Sequence, residues 1–322
     1  MPDFDRLFLE QTLRTLAQLD VLQADRLDAA THFVEEDLTF VRQQTYEVFY
    51  GLQKLLGTFI PVATDTPRGV RHTGYKMRDR VGRAELIDDD TNDLPTVSST
   101  KQRFLTQLRD IGLKYGYSIA DLEAAIYAGE PLDRTEADVA AMATSERHDE
   151  VAAFGDANLG LAGFFNHASI PVIAATGDFD ALTDDQVLAD LTRCATTVVT
   201  NTLEVIKPDT MLFDTESFEK LNGRRIGDTS ETLLNFFVRT NRHINNVDSS
   251  SKLSLADAEG DGPRIVTYKR DPMVVEAVAP IIFEQRMPQP KDLRLNVPCR
   301  GKTGGVQVRY PKGAVYMDGS NG

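Results

Sequence analysis

Residues 154–171 read FGDANLGLAGFFNHASIP, with glycines at Gly155, Gly160 and Gly163. A dinucleotide-binding loop needs G-x-G-x-x-G placed after a strand and opening a helix. Here the spacing is G-x-x-x-x-G-x-x-G, and the helical pattern precedes the glycines. The stretch PLDRTEADVAAMATSERHDEVAAFGD (131–156) reads as one long helix, mostly alanine on its apolar side with Val139, Met142 and Val151, and charged elsewhere. Such a helix rests a thin stripe on a flat neighbour and exposes the rest. Gly155, Gly160 and Gly163 therefore read as a structural turn that lets the chain leave the helix sharply, since glycine enters left-handed backbone without steric cost. A second phosphate-like signature, RGKTGG (300–305), fails similarly. A P-loop needs another glycine five residues before Gly301, and that position is Asn296. Lys302 and Thr303 are expected in a polar turn before a strand.

Downstream, 171–265 reads as a compact α/β region. Thr183 and Gln186 predict a capping box for a helix running to Ile206 and ended by Pro208; MLFD (211–214) predicts a buried strand, with Asp214 capping the next helix up to Gly223. Asp228 and Glu231 predict a further capping box before Leu233. NVDSSSKLSLADAEGDGPR (246–264) reads as a long polar loop. The remainder reads as strands at 265–270, 272–280, 293–298, 305–311 and 314–319, with Val306, Val308 and Tyr310 sharing one half-buried face.

Upstream, residues 1–56 read as helical, with apolar stripes Leu9–Leu13–Leu16 and Leu38–Val41–Val48–Leu52–Leu55. The prolines and glycine of FIPVATDTPRG (59–69) end that pattern, and a polar hairpin-like segment follows at 71–87. Arg68, Arg71, Lys76, Arg78, Arg80 and Arg83 gather at its start with only Asp79 among them, and Glu85, Asp88, Asp89, Asp90 and Asp93 come directly after. A basic limb beside an acidic one fits either a solvated loop or an arm that reaches another subunit. Ser118 and Asp121 predict a short helix that stops at Gly129.

The bulk properties narrow the function. The chain has 322 residues and a net charge of −14, from 49 acidic and 35 basic residues. That balance disfavours gripping nucleic acid over a broad surface, because such binding depends on cations displacing counterions. The acidic start MPDFDRLFLE lacks a signal-peptide pattern, and VVEAVAPIIF (274–283) is too short to span a bilayer. A chain that is neither secreted nor in a membrane is expected. Cys194 and Cys299 cannot alone form a disulfide framework or a zinc site; Cys194 shares a helical stripe with Leu191 and Val198 and reads as a buried thiol. The five histidines show no metal-ligand spacing, the acidic runs lack the glycine-turned form of a calcium loop, and G-x-S-x-G is absent. No catalytic, cofactor-binding or metal-binding residues are expected, and no small-molecule substrate.

The order of segments runs helical arm, polar hairpin, long sparsely apolar helix, glycine turn, compact α/β insert, closing strands. It resembles the Hong Kong 97-type fold of tailed-phage major capsid proteins and encapsulins, an α+β fold. Several stretches are similar to a DUF2184-like phage capsid family: Ile60–Pro61–Val62, the run Asp79–Arg80–Val81–Gly82–Arg83–Ala84, and Asp93–Leu94–Pro95. Also similar are Gly155–Asp156 with Gly160, Gly163 and Asn166, the run Tyr268–Lys269–Arg270–Asp271–Pro272, and Thr303 through Asp318–Gly319. The resemblance spans roughly 38–319, and Phe164–Phe165 departs from the usual Leu-Leu.

The resemblance implies an N-terminal helical arm at 1–56, an E-loop hairpin at 57–100, a P-domain with a long spine helix at 101–170, an A-domain at 171–265 and closing strands at 266–322. It implies no enzyme. Function would be self-assembly into pentamers and hexamers of an icosahedral head around double-stranded DNA, in the virion and assembled in the host cytoplasm. Partners would be further copies of the chain, a portal, and scaffold or decoration proteins. Arg68, Arg71, Lys76, Arg78, Arg80, Arg83, Asp88, Asp89 and Asp90 are the expected intersubunit contacts. Some relatives crosslink a hairpin lysine to an asparagine; Lys76 is the one lysine of the expected hairpin. An encapsulin-type compartment shell shares the fold, and a cytosolic α+β enzyme with a scattered site is the more remote alternative.

Overall fold

The computed structural model describes residues 54–84, 96–128, 132–227, 229–254, 256 and 262–319. The helical stripes expected before residue 54, and Asp88, Asp89 and Asp90, lie outside the described residues.

The long helix is Leu132–Phe154, and it lies across a four-stranded sheet. The central strand, Arg294–Thr303, pairs antiparallel with Arg109–Ser118 along its whole length, from Arg294↔Ser118 to Thr303↔Arg109. Its other side carries Ile281–Gln285 and Gln289–Lys291. Tyr115, Tyr117, Val297 and Cys299 from this sheet bury against Ala140 of the helix. The RGKT segment is thus not the polar turn expected from the sequence. It is the last part of a strand in which Lys302 and Thr303 are both buried.

At Phe154 the helix passes straight into a two-rung ladder, Gly155↔Ala162 and Asp156↔Leu161. Gly155 has φ +73° and Gly160 φ +66°, both left-handed. Gly163 is needed for a different reason: a Cβ there would overlap the backbone of Phe154 and Ala153. That contact lets the chain fold back, so that Phe164 N–H donates to the Ala152 carbonyl at 2.9 Å and Phe165 N–H to that of Ala153 at 2.8 Å. The two phenylalanines then enter a core with Leu55, Phe59, Ile60, Tyr268 and Tyr316.

A five-stranded sheet takes the order 172–174, 314–318, 264–268, 210–213, 246–249. The helices Asp184–Asn201, Thr215–Gly223 and Leu233–Thr240 build its second core, in which Leu191 and Cys194 are fully buried; Val198, on the same helical stripe, is buried too. Thr183 and Gln186 form the expected capping box, and the Asp214 carboxylate accepts from Ser217 N–H at 3.0 Å. Three local expectations fail. The first helix of the three stops at Asn201, where Leu203 and Glu204 take positive φ, well before Pro208. Thr232 caps the third helix, accepting from Asn235 N–H at 3.4 Å, while Glu231 instead pairs with Arg239 at 2.8 Å. Within the polar stretch after residue 245, Asn246–Ser249 is a strand parallel to Thr210–Phe213, held by backbone pairing that its polar side chains conceal.

A three-stranded sheet joins Val62–Ala63, Val275–Val278 and Val306–Val308. Gln307 is buried along with Val306 and Val308 while Tyr310 is exposed, so the expected simple alternation does not hold. The buried amide is accommodated because Gln307 Nε2 donates to Thr106 Oγ1 at 3.1 Å.

Candidate assembly surface

The expected hairpin is the strand His72–Val81 paired antiparallel with Ser98–Gln107 over ten rungs. Leu108 N–H donates to the Arg71 carbonyl at 2.8 Å, closing its base. One face turns toward the body: Tyr75 stacks on Phe104 with ring centroids 5.1 Å apart, and Arg309 lies over Tyr75. Between that face and the segments 160–169 and 306–311 runs an open groove of about 1000 Å³. The opposite face and both outer ends of the strands are exposed.

The candidate contact residues separate by position. Arg68 stands before the ladder and meets Glu284 Oε1 at 3.4 Å, so it already has a partner within the chain. Arg71 lies at the base. Lys76, Arg78 and Arg80 point to one face of the first strand, and Arg83 follows the ladder. Reasoning from sequence missed Lys101 and Arg103, which lie opposite Arg78 and Lys76 on the second strand. Lys76 is accordingly not the hairpin's one lysine, because the second strand runs past residue 100 and adds Lys101. The signal was the polar alternating run SSTKQRFLTQ after the acidic segment.

The two phosphate-like places are filled by the protein itself. The Asp156 carboxylate accepts from Asn158 N–H at 3.1 Å and Leu159 N–H at 3.3 Å, and Arg147 pairs with its other oxygen at 3.0 Å. A carboxylate thus occupies the position where an anion would be cradled. Lys302 Nζ donates to the Arg68 carbonyl at 2.8 Å and to that of Val70, fastening the start of the hairpin to the sheet. Burial pushes the Cys194 thiol up to about 12, so it stays protonated and is no nucleophile. Among the described residues no group of His, Cys, Asp and Glu could hold a metal ion, and no helix is long and apolar enough to cross a membrane.

The same architecture builds phage capsids. The capsid of Myoviridae phage XM1 superposes with a TM-score of 0.78 at 12% identity, covering 88% of this chain and 97% of that one. The capsid of an empty GTA particle gives a TM-score of 0.60 at 11% identity over 88% and 97% of the two chains. A chain from Mycobacterium phage Bobi gives 0.58 at 13% identity over 88% and 95%. The fold is therefore the α+β Hong Kong 97-type fold. The chain belongs to the Major capsid protein family, whose model matches residues 82–319. No curated protein matches it. Membership of that family makes the protein a self-associating component of a virion capsid.

Proposed function

We propose that copies of this chain assemble as pentamers and hexamers into the icosahedral head of a tailed phage, enclosing double-stranded DNA. The observation that carries this is the ten-rung hairpin, exposed on one whole face and too polar to pack alone. Within one chain such an arm buries little apolar surface to offset its ordering; laid over a neighbour it has a reason to be built. The hairpin serves as the E-loop, the helix Leu132–Phe154 as the spine, and the five-stranded sheet with its three helices as the A-domain at the capsomer centre. Arg71, Lys76, Arg78, Arg80 and Arg83 act between subunits, and the glycine turn joins spine and A-domain.

Assembly takes place in the host cytoplasm, with a portal at one vertex and scaffold or decoration proteins as further partners. DNA is held without sequence preference inside a shell whose every chain carries a net charge of −14, which discourages tight gripping. Sedimentation velocity of the purified protein over a range of concentrations tests this. Capsomers or shells are expected to sediment far ahead of any monomer, and a monomer or dimer boundary at every concentration would overturn it.

A further inference from the structure

The helix Asp184–Asn201 ends in a turn that holds two large apolar side chains out in solvent. Leu203 is 86% exposed and Val205 82%. Leu203 (φ 51°) and Glu204 (φ 65°) are consecutive left-handed residues, a conformation that costs a bulky L-residue free energy. The turn is nevertheless well bonded. The N–H groups of Leu203, Glu204 and Val205 donate to the carbonyls of Thr200, Val199 and Thr202 at 3.1, 2.8 and 3.1 Å. Thr202 Oγ1 accepts from Ile206 N–H at 3.3 Å and donates to the Val198 carbonyl at 2.8 Å. Strained backbone fixed in this way presents Leu203 as a rigid knob, and such preorganisation lowers the ordering cost of a contact.

Beside the knob lies an open pocket of about 470 Å³, lined by the apolar side chains of Ile206, Met273, Val274 and Tyr310 together with Lys269 and Lys312. Leu203 is not part of that lining and leaves the pocket unfilled. Lys269, Lys312 and Glu204 form no ion pair among the described residues. The Asp271 carboxylate at the same place is engaged locally, accepting from Met273 N–H at 2.8 Å. One patch therefore carries a leucine next to a free carboxylate and an apolar hollow next to two free ammonium groups. Each half complements the other in shape and in charge. We propose that Leu203 of one copy enters this pocket on a second copy, with Glu204 set against the lysines Lys269 and Lys312 there. The proposal rests on the shell-building function and adds a contact that uses no part of the hairpin. An anionic amphiphile would satisfy the lysines but leave Leu203 and Val205 in solvent, so the whole patch favours a second copy.

Disulfide trapping tests it. Full-length Glu204→Cys and Lys312→Cys proteins are co-expressed and mildly oxidised; the native Cys194 and Cys299 are both buried. A dimer joined between the two introduced cysteines is expected, identified by mass spectrometry of the linked peptides. Leu203→Gly in the first partner removes the knob while relaxing the left-handed backbone. It should lower the crosslinked fraction about tenfold, with a melting temperature that holds or rises. Should that variant fail to fold, Leu203→Asn, which also tolerates the left-handed region, replaces it. A lower melting temperature with the crosslink unchanged would mean that Leu203 serves the fold alone and would overturn the proposal. In assembled particles the Lys312→Cys thiol should react slowly with a maleimide, and faster once every copy also carries Leu203→Gly. Protection that persists without the leucine would assign the pocket to another occupant and overturn the proposal as well. Particles that form without the crosslink would overturn the contact and leave the shell function standing. Folded protein that gives neither particles nor crosslink would overturn both.

Discussion

Lys252 Nζ stands 2.6 Å from Asp149 Oδ2, while Asp149 Oδ1 accepts from the backbone N–H of Leu55 at 3.0 Å and of Leu56 at 3.2 Å. One buried carboxylate on the long helix thus fixes both the turn that leads into the first strand and the loop after Asn246–Ser249. Removing it strands two amide donors and a lysine, whereas removing the partly exposed lysine leaves the carboxylate its amide bonds. Asp149→Ala should destabilise by about 2–4 kcal/mol and Lys252→Ala by about 1 kcal/mol in urea denaturation. Equal effects would show that the amide contacts contribute nothing.

The glycine turn makes a graded prediction. Gly160 is left-handed but has open space around its Cβ position, so Gly160→Ala should cost only about 1 kcal/mol. Gly163 has no room, and Gly163→Ala should cost clearly more because the returning chain must move off the end of the helix. Thermal melts of the two variants decide the order, and Gly160→Ala melting lower would refute the packing argument. Neither change is expected to alter the binding of any nucleotide.

His148 sits between the long helix and the sheet, so close to Gly301 that a Cβ there would lie 2.7 Å from Nε2. Burial lowers its affinity for a proton below the usual value near 6.5, outweighing the neighbouring carbonyls of Ile282 and Ile281. The folded state therefore favours the neutral ring. Well above pH 6.5 the ring is neutral in both states and makes no difference. As the pH falls below that value the unfolded chain takes up the proton first, and stability declines until the folded pKa is reached. Half-buried His167 shifts the same way and adds to the slope. Urea midpoints measured from neutral pH downward should fall, and His148→Leu should flatten part of that fall. An unchanged slope in the variant would show that His148 carries none of it.

Arg264 is held by two parallel bonds to Asp318, each 2.6 Å, by the Phe165 carbonyl at 2.7 Å and by the Tyr316 ring 4.4 Å away. A lysine keeps the charge but not the planar fork. Arg264→Lys should therefore cost about 2–3 kcal/mol, seen as a lower melting temperature, and a neutral result would mean that charge alone suffices.

What the sequence disclosed followed the range of the interactions involved. The capping residues Thr183, Gln186 and Asp214 bond within a few positions of themselves, so their pattern is readable. The left-handed glycines were readable too, because their constraint is local. Lys101 and Arg103 were not associated with Lys76 and Arg78, because only the register of the hairpin brings them opposite. The strand Arg109–Ser118 carried a usable alternation in Ile111, Leu113, Tyr115 and Tyr117, but Gly112, Lys114 and Gly116 between them masked its burial. Lys302 misled because a lysine beside glycines suggests a surface turn. Its burial depends on the carbonyls of Arg68 and Val70, distant in the chain.

Electron microscopy of the purified, full-length protein tests the central claim most directly. Closed polyhedral shells, or rings of five and six subunits, are the predicted result. Uniform particles no larger than a dimer, under conditions in which the chain is folded, would contradict it.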